Sequence, residues 1–288
     1  MQIFDLTLYN RHLERAQATL HEKHDFLLKH AADAILEHLR DINRDFKTVI
    51  ELGYRTPHIY NALSQNSDTH YIRATTLESL YKDKQADVLY EAERLPLEHY
   101  TNSCDLVICN LHAHHLNDVP GFLIQAKQLL KNDGLFIMSL FGVESLQELR
   151  QTLQFVQANI YGEMRPRLSP LVDIRDAGAL LQRAGFALPV IDKERLTLAY
   201  KDLSHLMHEL RGMGETNIMN GLCKHMTPKQ FFTHAQTHYK EHFSGADGLI
   251  DATVEILYLT GWKPDSSQQQ PLKPGSAEKS LIEALTKE

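Results

Sequence analysis

The chain has 288 residues, 43% of them hydrophobic and 23% charged, with a formal net charge of −7 when histidine is neutral. That length buries a full core, and the composition is that of an ordinary globular protein. The acidic balance and the lack of a basic block exclude an electrostatic footprint for nucleic acid, and no run approaches the roughly 20 apolar residues of a membrane span. The three cysteines, Cys104, Cys109 and Cys223, fit neither a CxxC clip nor a disulfide framework and read as reduced, buried thiols. The first residues are charged from Asp5 onward and lack the apolar stretch of a secretory signal. The expected place is cytoplasmic, of bacterial type, at most peripheral to an inner membrane.

From about Asn10 to Arg44 the pattern is helical, with Ala16, Leu27, Ala31, Ile35 and Leu39 on one face. Lys47–Leu52 is a short apolar run with an acidic end, broken by Gly53, and reads as a buried strand. Thr69–Ala74 is a second strand and Leu77–Lys84 a helix. Cys104–Asn110 is uniformly apolar after its Asp, as a parallel strand covered on both faces must be. Asp118 caps the next helix, Asn132-Asp133-Gly134 ends it, and Gly134–Phe141 is a further strand. Ser145–Ala158 and Asp173–Arg183 are helical. Beyond Pro189 come an edge strand (VIDKERLTLAY), helices over Asp202–Arg211 and Pro228–Phe243, and an antiparallel strand over Ala252–Trp262. Strands alternating with helices predict an α/β fold with a doubly wound, mostly parallel Rossmann-like sheet, N-terminal helices, and a helical insertion before the last strand. The division expected is a helical segment (1–44), a core (45–200), the insertion with the final strand (201–263) and a mobile polar tail (264–288).

Ligands of such folds sit outside the carboxyl ends of the strands. Four segments fall there. Glu51 and Gly53 follow the first strand; the glycine allows close backbone approach, and the carboxylate attracts cationic ligand groups. Arg73-Ala74-Thr75 follows the second strand and lacks the acidic residue a ribose would need. Glu91 and Ala92 lie in the charged loop Tyr90–Leu97, where a carboxylate can accept from an adenine amino group. Asn110 and the stretch His112-Ala113-His114-His115 follow the Cys104–Asn110 strand, where substrate meets cofactor. His114 or His115 is placed to take a proton. The three imidazoles also invite a metal reading, ranked below the proton-transfer role because no Cys or carboxylate pattern accompanies them.

These segments, together with EAERLP, CDLVICNLHAHHLNDVP, NDGLFIMSLFGVESLQELR, RLSPLVDIRDAGALLQRAGF, ELRGMGETN, TGWKP and PGSA, resemble the methyltransferase-like complex I assembly factors of mitochondria and alphaproteobacteria. More distantly the chain is similar to the malonyl-carrier-protein methyltransferases of biotin synthesis. The resemblance runs from Ile3 to about Gly275. It implies the class I methyltransferase fold, S-adenosylmethionine as cofactor, and a protein or carrier-protein substrate, including a respiratory-complex subunit. It also implies a partner-docking or lid role for Arg211, Gly214, Glu215 and Asn217. Hydroxylation of a protein arginine is a second chemistry attributed to the family. Three departures stand out: Tyr54-Arg55-Thr56-Pro57 replaces a glycine-rich turn, Ala74 stands near the ribose-binding acid, and His115 replaces a Trp. Three functions follow as expectations. The first is a methyltransferase binding its cofactor at Glu51, Gly53, Glu91 and Ala92 and acting at Asn110 and His114. The second is an assembly protein with a decayed nucleotide site. The third and weakest is a flavin or NAD oxidoreductase, against which the missing GxGxxG speaks. No metal ligand is assigned.

Overall fold

The structure, a computed structural model, describes residues 2–269 apart from 66, 163–165 and 222–225. Cys223, the PGSA motif and most of the expected tail lie outside the described residues. In chain order the elements are α1 (Leu6–Lys23), α2 (Phe26–Arg40), β1 (Thr48–Leu52), α3 (His58–Leu63), β2 (His70–Thr75), α4 (Glu78–Lys82), β3 (Val88–Leu89), α5 (Leu97–Tyr100), β4 (Cys104–Asn110), α6 (Val119–Leu129), β5 (Leu130–Phe141), α7 (Gln147–Val156), α8 (Ile174–Ala184), β6 (Ala187–Tyr200), α9 (Leu203–Met213), α10 (Lys229–His242) and β7 (Ile250–Trp262). The strands form one sheet in the order β3-β2-β1-β4-β5-β7-β6. β1 to β5 pair in parallel, and β7 runs antiparallel to both β5 and β6.

Side-chain alternation sends the strand residues to two faces. On one face Ile50, Val107, Cys109 and Phe136 pack with Phe122 and Leu123 of α6 and Leu181 of α8. On the other, Val49, Ile108 and Ile137 meet Leu28, Ala31 and Ile35 of α2. Both faces are therefore dry, which explains the uniformly apolar strands, and each large side chain so buried contributes about 1.5–3 kcal/mol. The helix ends follow local chemistry. Asp118 accepts from the Gly121 N–H at 2.8 Å to start α6, and Asp202 accepts from the His205 N–H at 2.9 Å to start α9.

Two boundaries differ from expectation. The single helical stretch of residues 10–44 is two helices, parted after Lys23. Asp25 begins the second, its carbonyl accepting from the Lys29 N–H at 2.8 Å and its carboxylate held by His58 at 2.9 Å. The strand expected from Gly134 starts earlier, at Leu130, because Leu130 pairs with Cys104 before an irregularity in register. Asp133, at φ 59°, carries the turn inside the strand. The two-residue β3 is too short to leave a signal in the sequence.

α7, α9, α10 and the start of β7 share a separate apolar cluster built on Leu153, Leu206, Phe231, Tyr239 and Ile250. α1 lies with Tyr54, Leu77 and Ile218 in another. The N-terminal stretch is tied down by Asn117, whose Oδ1 accepts from the Ile3 and Phe4 N–H groups at 2.7 and 2.8 Å, and Phe4 bridges Met219. Among the described residues no helix is long and apolar enough to cross a membrane.

Candidate active site at the carboxyl ends of the strands

The strand order reverses between β1 and β4, so the ligand crevice of this topology opens beyond their carboxyl ends. Here that space is occupied by the protein. Gly53 has φ 70°, and a Cβ placed on it would lie 2.3 Å from Cγ of His112. The imidazole thus packs on the glycine, where a ligand would otherwise approach. Tyr54 turns into the cluster under α1, with its N–H donating to the Ala74 carbonyl at 2.9 Å and its own carbonyl accepting from the Thr75 hydroxyl at 2.9 Å.

Arg55 does not turn to solvent. It is 3% exposed, donates to the Met213 carbonyl, and places Nη1 3.6 Å from Oε1 of Glu215. The other Glu215 oxygen faces His114 Nε2 at 3.0 Å and His115 Nδ1 at 3.4 Å. Burial pushes the Glu215 carboxyl up, but His114, His115 and Arg55 outweigh it and hold it down at about 2. Burial first, then neighbouring positive charge, lowers His112 and His115 to about 3, so both rings are neutral. Tyr9 of α1 closes over them, its ring 4.9 Å from that of His115.

The expected site residues separate into groups. Glu51 is buried and accepts from the Tyr71 hydroxyl at 2.5 Å; burial pushes its carboxyl up to about 8, against the opposing pull of that bond. Ala92 is a core residue, whereas Glu91 points to solvent and pairs with Arg94 at 3.7 Å. Asn110 is committed to structure: Nδ2 donates to the Leu28 carbonyl at 2.9 Å and Oδ1 accepts from Ser139 at 2.7 Å. Gly214, at φ 83°, caps α9, and Glu215 follows it directly. Arg211 is exposed. Asn217 donates to the Pro166 carbonyl at 3.2 Å.

His114, His115, Glu215 and Asn217 line one pocket, with Phe141, Arg150 and Arg167 among its other walls. It lies beyond β4 and β5, on the side of the sheet away from β2. Sequence reasoning named His114, His115 and Glu215 but not their meeting, and it missed Arg150 and Arg167. Arg55 stands out in the sequence as part of the turn that replaces the glycines; nothing in its neighbours signals a distant carboxylate partner.

The sheet order, with its antiparallel β7 inserted between β5 and β6, defines a class I methyltransferase fold. A methyltransferase of Bacillus halodurans superposes with a TM-score of 0.54 at 15% identity, covering 81% of this chain and 98% of that one. The family model for a methyltransferase domain matches residues 21–189. Arginine-hydroxylase NDUFAF5, mitochondrial, is 33% identical in Danio rerio, over 98% of this chain and 89% of that protein. The Homo sapiens protein of the same name is 32% identical, over 94% and 81%. A malonyl-[acyl-carrier protein] O-methyltransferase of Methylovorus is 27% identical, over 93% of each. The chain therefore belongs to the methyltransferase-domain family, in the branch of the mitochondrial arginine-hydroxylase NDUFAF5 proteins.

S-adenosylmethionine is the cofactor of this fold and family. As the chain is folded, the residues at the usual crevice do not fit an adenosyl group. His112 covers Gly53, Arg55 fills the turn, Glu51 is bound to Tyr71, and Glu91 is turned away.

Proposed function

We propose that the protein modifies an arginine-bearing polypeptide, with the target side chain entering the pocket beyond β4 and β5. The observation that carries this is the Glu215 carboxylate at the pocket wall, ionised, 8% exposed at its side chain, and already facing the guanidinium of Arg55. A buried carboxylate of this kind suits a guanidinium through charge-assisted hydrogen bonds. The apolar walls, Leu27, Phe141, Leu146 and Val254, suit the methylene stem above it. The identity over nearly the whole chain to proteins named arginine-hydroxylase supports the same chemistry here. In that chemistry a C–H bond becomes C–OH. The oxygen comes from dioxygen, whose second atom leaves as water on two electrons from an added reductant and two protons from solvent. The filled crevice favours this over methyl transfer. We further infer that the target is a respiratory-complex subunit and that the protein works in a reducing compartment, where Cys104 and Cys109 stay free and buried.

The test is intact-mass and peptide mass spectrometry of an arginine-containing respiratory subunit incubated with the protein, dioxygen and a reductant, in parallel with S-adenosylmethionine. Gain of one oxygen on arginine is expected. Gain of a methyl group overturns the hydroxylase reading, and an unmodified subunit that still co-purifies with the protein assigns it the assembly role instead.

A further inference from the structure

The three side chains that meet at the pocket wall come from two distant segments. Each brings one donor atom, and the donors lie within 4.8 Å of one another. Tetrahedral and octahedral ions with bonds of about 2.1 Å hold neighbouring donors roughly 3.4 and 3.0 Å apart. Glu215 Oε2 stands 3.0 Å from His114 Nε2 and 3.4 Å from His115 Nδ1, which is that spacing. His115 is nine-tenths buried, yet its Nδ1 makes no hydrogen bond of acceptable geometry. A buried imidazole nitrogen that faces a carboxylate without forming a hydrogen bond to it is one whose lone pair an ion between the two would satisfy. The resemblance noted in the sequence puts a Trp at this position, so the imidazole is a property of this chain.

We propose that His114, His115 and Glu215 bind one divalent first-row transition ion, as two imidazoles and one carboxylate. The pocket that all three line leaves the remaining coordination positions facing inward, toward water or a bound substrate. Arg55 opposes the ion, since its guanidinium is a second cation on the same carboxylate. It approaches Oε1, however, while the histidines face Oε2. Ion and arginine therefore share the carboxylate, and the arginine weakens binding without blocking it. Any donor separation that approaches the 4.8 Å limit closes by rotation of an imidazole about its second side-chain torsion, which has a broad minimum.

The test is titration of the chelator-treated full chain with Co(II), read by its ligand-field absorption and by metal analysis after desalting, with no substrate present. Stoichiometric binding with a spectrum of mixed nitrogen and oxygen ligation is expected. His115→Phe, which keeps a ring of similar bulk, should weaken it by roughly tenfold or more. Arg55→Met should strengthen it. His99→Ala, at a site remote from the pocket, should leave it unchanged. Equal Co(II) affinity in the wild type and in folded His115→Phe and Glu215→Gln variants overturns the site and assigns the metal to the chain's other histidines. Absence of stoichiometric binding overturns it too. Near-ultraviolet circular dichroism establishes that each variant is folded.

Discussion

The two halves of the ligand-facing edge have met opposite fates. Beyond β1 and β2 the chain has filled its own crevice with His112, Tyr54 and Arg55. Beyond β4 and β5 it has kept a pocket and brought ionisable groups to its wall. One side chain belongs to both: Glu215 anchors the arginine that shuts the first half and lines the second. The contrast teaches that a nucleotide site and a substrate site on one sheet can change independently, because they draw on different loops and share only a few residues.

The largest loss is expected at the residue the two halves share. Glu215→Ala leaves a buried guanidinium without its counter-charge and should destabilise the protein by about 3 kcal/mol, the lower end of the range for a broken buried pair. Arg150→Ala, in the open half, deletes an exposed donor to the Val143 carbonyl and should cost about 0.5–1 kcal/mol. Equal losses in urea melts would mean that the halves are packed alike. Gly53→Ala probes the closed half directly. At φ 70° its new methyl would strike the His112 ring, so a loss of roughly 1–3 kcal/mol is expected. Arg55→Gly empties the turn and should raise affinity for S-adenosylmethionine about tenfold, or ~1.4 kcal/mol, by calorimetry. Unchanged affinity would show that another side chain closes the crevice.

The smallest effect sharpens the picture through pH. Glu51 has its carboxyl raised from 4.5 to about 8 in the fold, chiefly by burial. The folded state therefore holds a proton that the unfolded chain has released. Stability from this group is present at acid pH and is lost as pH climbs from about 4.5 to about 8. Glu51→Gln keeps an acceptor for the Tyr71 hydroxyl and removes the proton. Its stability should fall less steeply over that interval, as measured by denaturant melts; a slope equal to the wild type would place the carboxylate in water.

Much of the fold was legible because it rests on local pattern. The runs that became β1, β4 and β5 are apolar on both faces, and Asp118 and Asp202 announce their helices by side-chain chemistry. The site was legible only in parts. His114 and Glu215 stood out singly, one after a strand and one after a glycine-capped helix. Their convergence depends on Gly214 reversing the chain, and no spacing rule encodes the partner that such a turn will face. Asn110 is placed at a strand end by the sequence, but its hydrogen bonds to the Leu28 carbonyl and from Ser139 join it to distant residues that no local pattern encodes. The departures at Tyr54–Pro57 were visible as letters. That Arg55 would fold inward was not, since the sequence sets a side chain's length and charge but not its rotamer.

The anchoring of Ile3 and Phe4 by Asn117, with Phe4 also bridged to Met219, has a practical consequence. Asn117 is two residues from His115, and Met219 is four from Glu215. The start of the chain is therefore tied to both segments that supply the pocket's ionisable groups, so ligand and metal titrations should be compared with and without a purification handle placed ahead of it.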